Sequence, residues 1–150
     1  MSLDTFIHLN IRSSYSLSEG ALNIKQMVQL AKKNNMPALA ITDSNNLFGA
    51  LEFSELCCES GIQPLIGTSI SLLLTEDNNK NIESLPKIIL IAQNNEGYEN
   101  LIKLSSDSYL KTGSIEESYL KLEQLFKYND GILVLTGGPN GPLNQYILSG

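Results

Sequence analysis

Residues 36–74, MPALAITDSNNLFGALEFSELCCESGIQPLIGTSISLLL, decide the fold class. Pro37 ends a turn, and ALAIT after it is a short apolar run that reads as a buried strand opening into the polar loop TDSNN. LFGALEFSELCCESG reads as a helix closed by Gly61, a residue suited to the left-handed conformation that ends helices. QPLIGTSISLLL is a second strand. Strand, helix and strand in succession form the unit from which parallel sheets are built, so the expected class is α/β.

The flanking segments extend the pattern. Upstream, FIHLNIRSSYS (residues 6–16) alternates, which puts Phe6, His8, Asn10 and Arg12 on one side of an extended strand and Ile7, Leu9 and Ile11 on the other. The polar loop SSYSLSEG follows, and then NIKQMVQLAKKNNM, where Ile24, Met27, Val28 and Ala31 share one helical face and Asn23 with Gln26 has the spacing of a capping box. Downstream come the polar linker TEDNNKNIESLP, the strand KIILIAQN and a helix over NEGYENLIKLSSDSYLK with Tyr98, Leu101, Ile102 and Ser105 on one face. An amphipathic helix over ESYLKLEQLFKYN and the apolar strand GILVLTGG follow. Largely parallel strands are expected, in a barrel or a doubly wound sheet, and the polar loops TDSNN, GTS and TGG fall at carboxyl ends of strands, where active sites of both architectures lie. TGGPNGP lacks the Gly-Lys-Ser/Thr ending of a nucleotide loop and reads as a tight turn.

Composition narrows the class further. The 150 residues are 42% hydrophobic, enough for a packed core. No apolar run approaches the roughly 20 residues of a membrane span, and MSLDTF lacks the layout of a signal peptide, so no membrane partner and a cytoplasmic location are expected. Ten basic against 16 acidic residues, net −6, argue against a DNA-gripping surface, which needs clustered Lys and Arg. Cys57 and Cys58 are neighbours, poorly placed to bridge each other, and read as helix-packing residues of a reduced compartment. LTGGPNGPLNQYILSG begins a loop and a new helix with Pro142 in its first turn, while a barrel of this kind takes about 250 residues, so the front part of a longer domain is expected.

FIHLNIRSSYS, MPALAITDSNNLFGALEF, GIQPLIGTSI and LIAQNNEGYENLIKLSS, in that order and at these intervals, closely resemble the amino-terminal region of bacterial replicative DNA polymerase III alpha subunits, a region of the polymerase and histidinol phosphatase (PHP) family. The likeness runs from about Phe6 to Gly138. It implies a distorted seven-stranded (β/α) barrel, whose metal-dependent members cut phosphoesters with two or three ions held by His, Asp and Glu. Such ions neutralise phosphate and acidify a bound water, which requires several converging imidazoles and carboxylates.

Carried over residue by residue, the resemblance finds few of those ligands. The paired histidines of the first strand fall on Asn10 and Arg12, and the histidine after the Thr-Asp pair falls on Ser44. The acidic position after Gly67 falls on Ser69, and Lys87 stands where histidine is frequent. Glu19 and Asp43 keep carboxylates. Two carboxylates without an imidazole are a poor zinc set, and Arg12 brings a fixed positive charge that could pair with Glu19 or Asp43 in place of an ion. Read without the resemblance, Asp43 is a carboxylate accepting N–H bonds within the TDSNN turn, His8 a partly buried structural histidine, and Ser16 a loop residue with no base to activate it.

Three functions are open at this stage. The resemblance implies a scaffold with a degraded metal site, needing no cofactor of its own, which supports the remainder of the alpha chain and docks the proofreading exonuclease subunit. The parent protein would then be a DNA-directed DNA polymerase, a nucleotidyltransferase whose Mg²⁺ belongs to its polymerase domain and through which alone DNA is contacted. A surviving metal-dependent phosphoesterase or 3′ to 5′ exonuclease is the enzymatic alternative. The third is an α/β barrel that binds a small anion through Arg12 and loop amides.

Overall fold

The computed structural model describes residues 6–74, 85–110 and 118–148. Among the described residues five α-helices and five strands follow in this order: α1 (Ile24–Lys33), β1 (Ala38–Ser44), α2 (Ala50–Ser60), β2 (Gln63–Leu73), β3 (Lys87–Ala92), α3 (Asn95–Leu110), β4 (Tyr119–Lys121), α4 (Leu122–Lys127), β5 (Ile132–Leu135) and α5 (Pro142–Leu148). The class is mixed α/β, with strands joined in the order β1-β2-β3-β5 and β4 beside β2. By internal packing the chain forms two compact units, residues 1–68 and 69–150.

In the first unit, the predicted capping box of α1 is present: Gln26 donates its N–H to the Asn23 side chain at 2.9 Å, and the Asn23 N–H donates to Gln26 Oε1 at 3.3 Å. The helix buries Ile24, Met27, Val28 and Ala31, the face that the spacing picked out. These pack with Leu39 and Ile41 of β1, Phe53 and Cys57 of α2, and Ile62. Burying a Leu, Ile or Phe side chain is worth about 1.5–3 kcal/mol, so this cluster is what holds α1 and α2 on β1. Gly61 ends α2 at φ 72°, as its position predicts. Cys57 is buried and Cys58 exposed.

The amino-terminal segment departs from the expected strand. Its exposure alternates through residues 6–11, yet it forms no regular ladder. Ala40 donates its N–H to His8 O at 3.0 Å, and Thr42 donates to Ile11 O at 2.8 Å. A step of two residues along β1 therefore meets three along the segment, and the extra residue breaks the pairing as a bulge does. His8 is also exposed, against the expectation of partial burial, with its ring edge-on to Phe6 at 4.6 Å between centroids.

In the second unit, β2 pairs in parallel with β4, and β3 pairs antiparallel with β5. The antiparallel pair corrects the expectation of largely parallel strands. Between β3 and β5 the chain inserts α3, β4 and α4 instead of one returning helix, and β5 enters from the opposite end. The stretch read as a single amphipathic helix from residue 117 is in its described part β4 followed by the six-residue α4. Helix α3 buries Gly97, Asn100, Leu101, Leu104 and Ser108, while Tyr98 and Ile102 are 37% and 44% exposed, so its inner face shares Leu101 with the predicted stripe and is rotated from the rest of it. The cause is close backbone approach: a Cβ at Gly97 would lie 1.8 Å from Gly131 O, and Asn100 donates to Asp130 O at 3.0 Å. TGGPNGP is the turn it reads as, with Gly137 and Gly138 at φ 76° and 60° and a 3-10 turn over Gly138–Asn140. Most of the linker TEDNNKNIESLP lies outside the described residues.

Candidate functional site

The first unit gathers polar groups where β1 ends, around Asp43. β1 is apolar and buried up to this point, so its carboxyl end delivers Asp43 with only 2% of its surface exposed. A carboxylate at such depth must be compensated. Compensation comes from the loop after the amino-terminal segment. Ser13 donates its backbone N–H to Oδ1 and its hydroxyl to Oδ2, both at 2.7 Å, and the Ser16 hydroxyl donates to Oδ1 at 2.5 Å. Ser13 and Ser16 are themselves 0% and 2% exposed. The loop is wound tightly enough to present both: Ser16 donates its N–H to Ser13 O, Glu19 and Gly20 donate to Ser16 O, and Ser18 takes φ 65°. Gly20 closes it against the Ser13 carbonyl, where a Cβ would lie 1.7 Å from the oxygen.

Ser44 links this carboxylate to a second one. Its backbone N–H donates to Ser16 Oγ at 3.0 Å, and its hydroxyl donates to Glu19 Oε2 at 2.5 Å. Arg12 Nε stands 3.1 Å from the same Glu19 oxygen, with both side chains about one third exposed. That N–H is buried and not aligned along a hydrogen-bond axis, so the contact is an ion pair. Of the two partners expected for Arg12, the structure supplies Glu19.

Arg12, Glu19, Asp43 and Ser44 converge in the first unit. Asn10 lies beside them on the segment, its Oδ1 accepting from the Thr42 hydroxyl at 3.3 Å. Ser69 is buried on β2 and Lys87 opens β3, both in the second unit. Asp43 does not serve the TDSNN turn as expected. Asn46 does, donating to Ser44 O at 2.9 Å and accepting from the Phe48 N–H at 3.1 Å. Ser13 is the member that sequence reasoning missed, and Ser16, read as a loop residue without a base, in fact donates to the Asp43 carboxylate; the only signal for the pair is two serines three apart in a loop that returns beside β1. Tyr15, between them, donates its hydroxyl to Glu52 at 3.2 Å, and that bond, with the glutamate charge, raises its pKa above the ordinary 10.0.

Chemically, the cluster holds two carboxylates, three hydroxyls and one guanidinium. Among the described residues no group of three or more His, Cys, Asp or Glu is placed to hold a metal ion. Nor is any described helix long and apolar enough to cross a membrane.

Comparison with known proteins agrees with the fold and with the resemblance. The family model for the PHP domain matches residues 8–150. The DNA polymerase III subunit alpha of Caulobacter vibrioides is 37% identical over 146 residues, covering 97% of this chain and 13% of that protein. The subunit of the same name from Buchnera aphidicola is 37% identical over 152 residues, covering all of this chain and 13% of its own. The chain therefore spans about one eighth of the length of these curated relatives. Among solved structures, a protein assigned as a metal-dependent phosphoesterase from Bifidobacterium adolescentis superposes with a TM-score of 0.50 over 71% of this chain and 34% of its own, at 18% identity. That is a likeness of fold, and it accords with the front part of a PHP barrel. From its α/β order, its polar cluster at the end of β1 and this match over residues 8–150, the chain belongs to the PHP domain family.

Proposed function

We propose that this chain serves as the amino-terminal PHP portion of a cytoplasmic bacterial DNA polymerase III alpha subunit, as a scaffold with an eroded metal site. Its work is to support the remainder of the alpha chain and to dock the proofreading exonuclease subunit. On this reading the nucleotidyl transfer, its Mg²⁺ and the contacts with DNA belong to other parts of the polymerase. The observation that carries it is the occupation of both carboxylates: Asp43 accepts three hydrogen bonds from serines, and Glu19 is taken by Arg12 and Ser44. A guanidinium cannot ligate a cation, neutral serine hydroxyls are poor ligands for zinc, and no imidazole stands among the groups that contact the two carboxylates.

The full natural protein, incubated with Zn²⁺ or Mn²⁺ and a chromogenic phosphodiester, is expected to show no turnover attributable to this domain. It is also expected to retain the proofreading subunit in size-exclusion chromatography. Metal-dependent cleavage that disappears in Asp43→Asn would favour the phosphoesterase alternative instead. Failure to retain the subunit would remove the docking role while leaving the scaffold.

A further inference from the structure

We propose that in this chain the Arg12 guanidinium and the hydroxyls of Ser13, Ser16 and Ser44 do the work of a cation, making the cluster a metal-independent tie that fastens residues 12–19 to the end of β1. The proposal rests on the reading of an eroded metal site and names the device that replaced the metal. A bound ion in such a position would have two physical effects: it would neutralise buried carboxylates, and it would cross-link chain segments remote in sequence. Here protein groups supply the cross-link, and in place of full neutralisation they solvate the buried carboxylate with hydrogen bonds and pair the less buried one with a guanidinium.

Compensation differs between the two acids. An ionised carboxylate offers about four acceptor positions. Asp43 fills three of them with neutral donors, and among the described residues no ion pair reaches it. Glu19, less buried, receives the one fixed positive charge, from Arg12. Arg is permanently protonated, so this pairing holds wherever Glu19 is ionised.

The cross-link is equally complete. Ser16 Oγ both donates to Asp43 and accepts from the Ser44 N–H, and Ser44 then reaches Glu19 through its hydroxyl. An unbroken path runs from Arg12 through Glu19, Ser44 and Ser16 to Asp43 and back to Ser13. A dication entering it would have to displace the serine donors from Asp43 and settle beside a cluster that already carries Arg12. Removal of those donors would orphan buried groups, a cost that recurs for each one.

The test uses the full natural protein, wild type and carrying Ser16→Ala, Arg12→Gln or Asp43→Asn, with Ser16→Thr as a variant that keeps the hydroxyl. Each is melted with Zn²⁺, with Mn²⁺ and with EDTA, and each is digested under native conditions with cleavage followed between residues 12 and 20. Any effect of the ions or of EDTA on melting is expected to be the same in the wild type and in Asp43→Asn. Ser16→Ala is expected to speed cleavage of the loop by about tenfold or more, because the buried Asp43 carboxylate loses a donor and the part-buried Ser44 N–H its acceptor, with most of it restored in Ser16→Thr. Stabilisation by either ion, or destabilisation by EDTA, that vanishes in Asp43→Asn overturns the proposal. So does a cleavage rate in Ser16→Ala and Arg12→Gln equal to that of the wild type. Metal stabilisation that persists in Asp43→Asn comes from elsewhere in the protein and supports it. Neither arm depends on the proofreading subunit, so loss of the docking role and loss of the tie are separable results.

Discussion

Replacing Asp43 by alanine is the most direct strike at the cluster. The side chain is 2% exposed and accepts three hydrogen bonds from Ser13 and Ser16, which are buried as deeply. Leaving a buried donor without an acceptor costs about 1–3 kcal/mol. The Ser13 N–H cannot turn away and bears its full cost, while the two hydroxyls can rotate and recover part of theirs. The expected loss is therefore about 3–5 kcal/mol, a large share of the roughly 5–15 kcal/mol that holds most domains folded. Asp43→Asn keeps one acceptor oxygen, and the Ser13 hydroxyl can reverse to meet the new amide, so about 1–2 kcal/mol is expected. Urea unfolding of wild type and both variants, with slopes compared to confirm that the same surface is exposed, measures the two differences. Alanine within about 1 kcal/mol of the wild type would refute the hydrogen-bond account. Asparagine as damaging as alanine would refute it too, because the loss would then follow the charge and not the acceptors.

Arg12→Gln should cost at most about 1 kcal/mol, since the ion pair is one third exposed, and the cost should shrink when urea unfolding is repeated at high salt. Gly20→Ala should exceed about 2 kcal/mol in the same assay, because a Cβ at that place would lie 1.7 Å from Ser13 O and the backbone must move. Thiol labelling at neutral pH should modify Cys58 quickly and Cys57 only on unfolding: Cys57 is buried, and burial, with Cys58 adding to it, pushes its thiol from the ordinary 9.0 up to about 11. The sign for stability follows. The unfolded chain loses that proton first as pH rises, so the contribution of Cys57 is whole below about 9 and falls away between 9 and 11, which alkaline melting curves can follow.

Legibility in the sequence followed the range of the interactions. Local signals carried through: the Asn23 and Gln26 capping box, the left-handed Gly61, Pro142 at the start of α5, and the apolar runs of β1, β2, β3 and β5 all stand as read. Where packing between distant segments decides, periodicity misled. Gly97 turned α3 because Gly131 needed room against it, and residues 119–121 became a strand because β2 offers them a partner. The amino-terminal segment kept its alternation in exposure and lost its ladder to one extra residue, which no pattern of side chains records. In the site, an acidic partner for Arg12 follows from the resemblance, which leaves Glu19 and Asp43 both open, and the structure supplies Glu19. The partners of Asp43 could not be anticipated, because a serine hydroxyl has many uses in a loop and only the tertiary fold brings residues 13 and 16 to residue 43.

The serine contacts of Asp43 join positions 30 and 27 residues apart, with the whole of α1 and most of β1 between them. Closing a flexible loop of that length costs about 3 kcal/mol in chain entropy before any bond rewards it. The reward also requires β1 in place and the carboxylate already out of water, so these bonds belong to the last steps of folding. Interactions that form after the barrier leave the folding rate alone and govern unfolding. Weakening Ser16 or Ser13 should therefore leave refolding as fast as before and make unfolding faster. Refolding and unfolding rates of Ser13→Ala and Ser16→Ala, measured beside the wild type, check this: a slowed refolding would place the two serines in the folding nucleus instead.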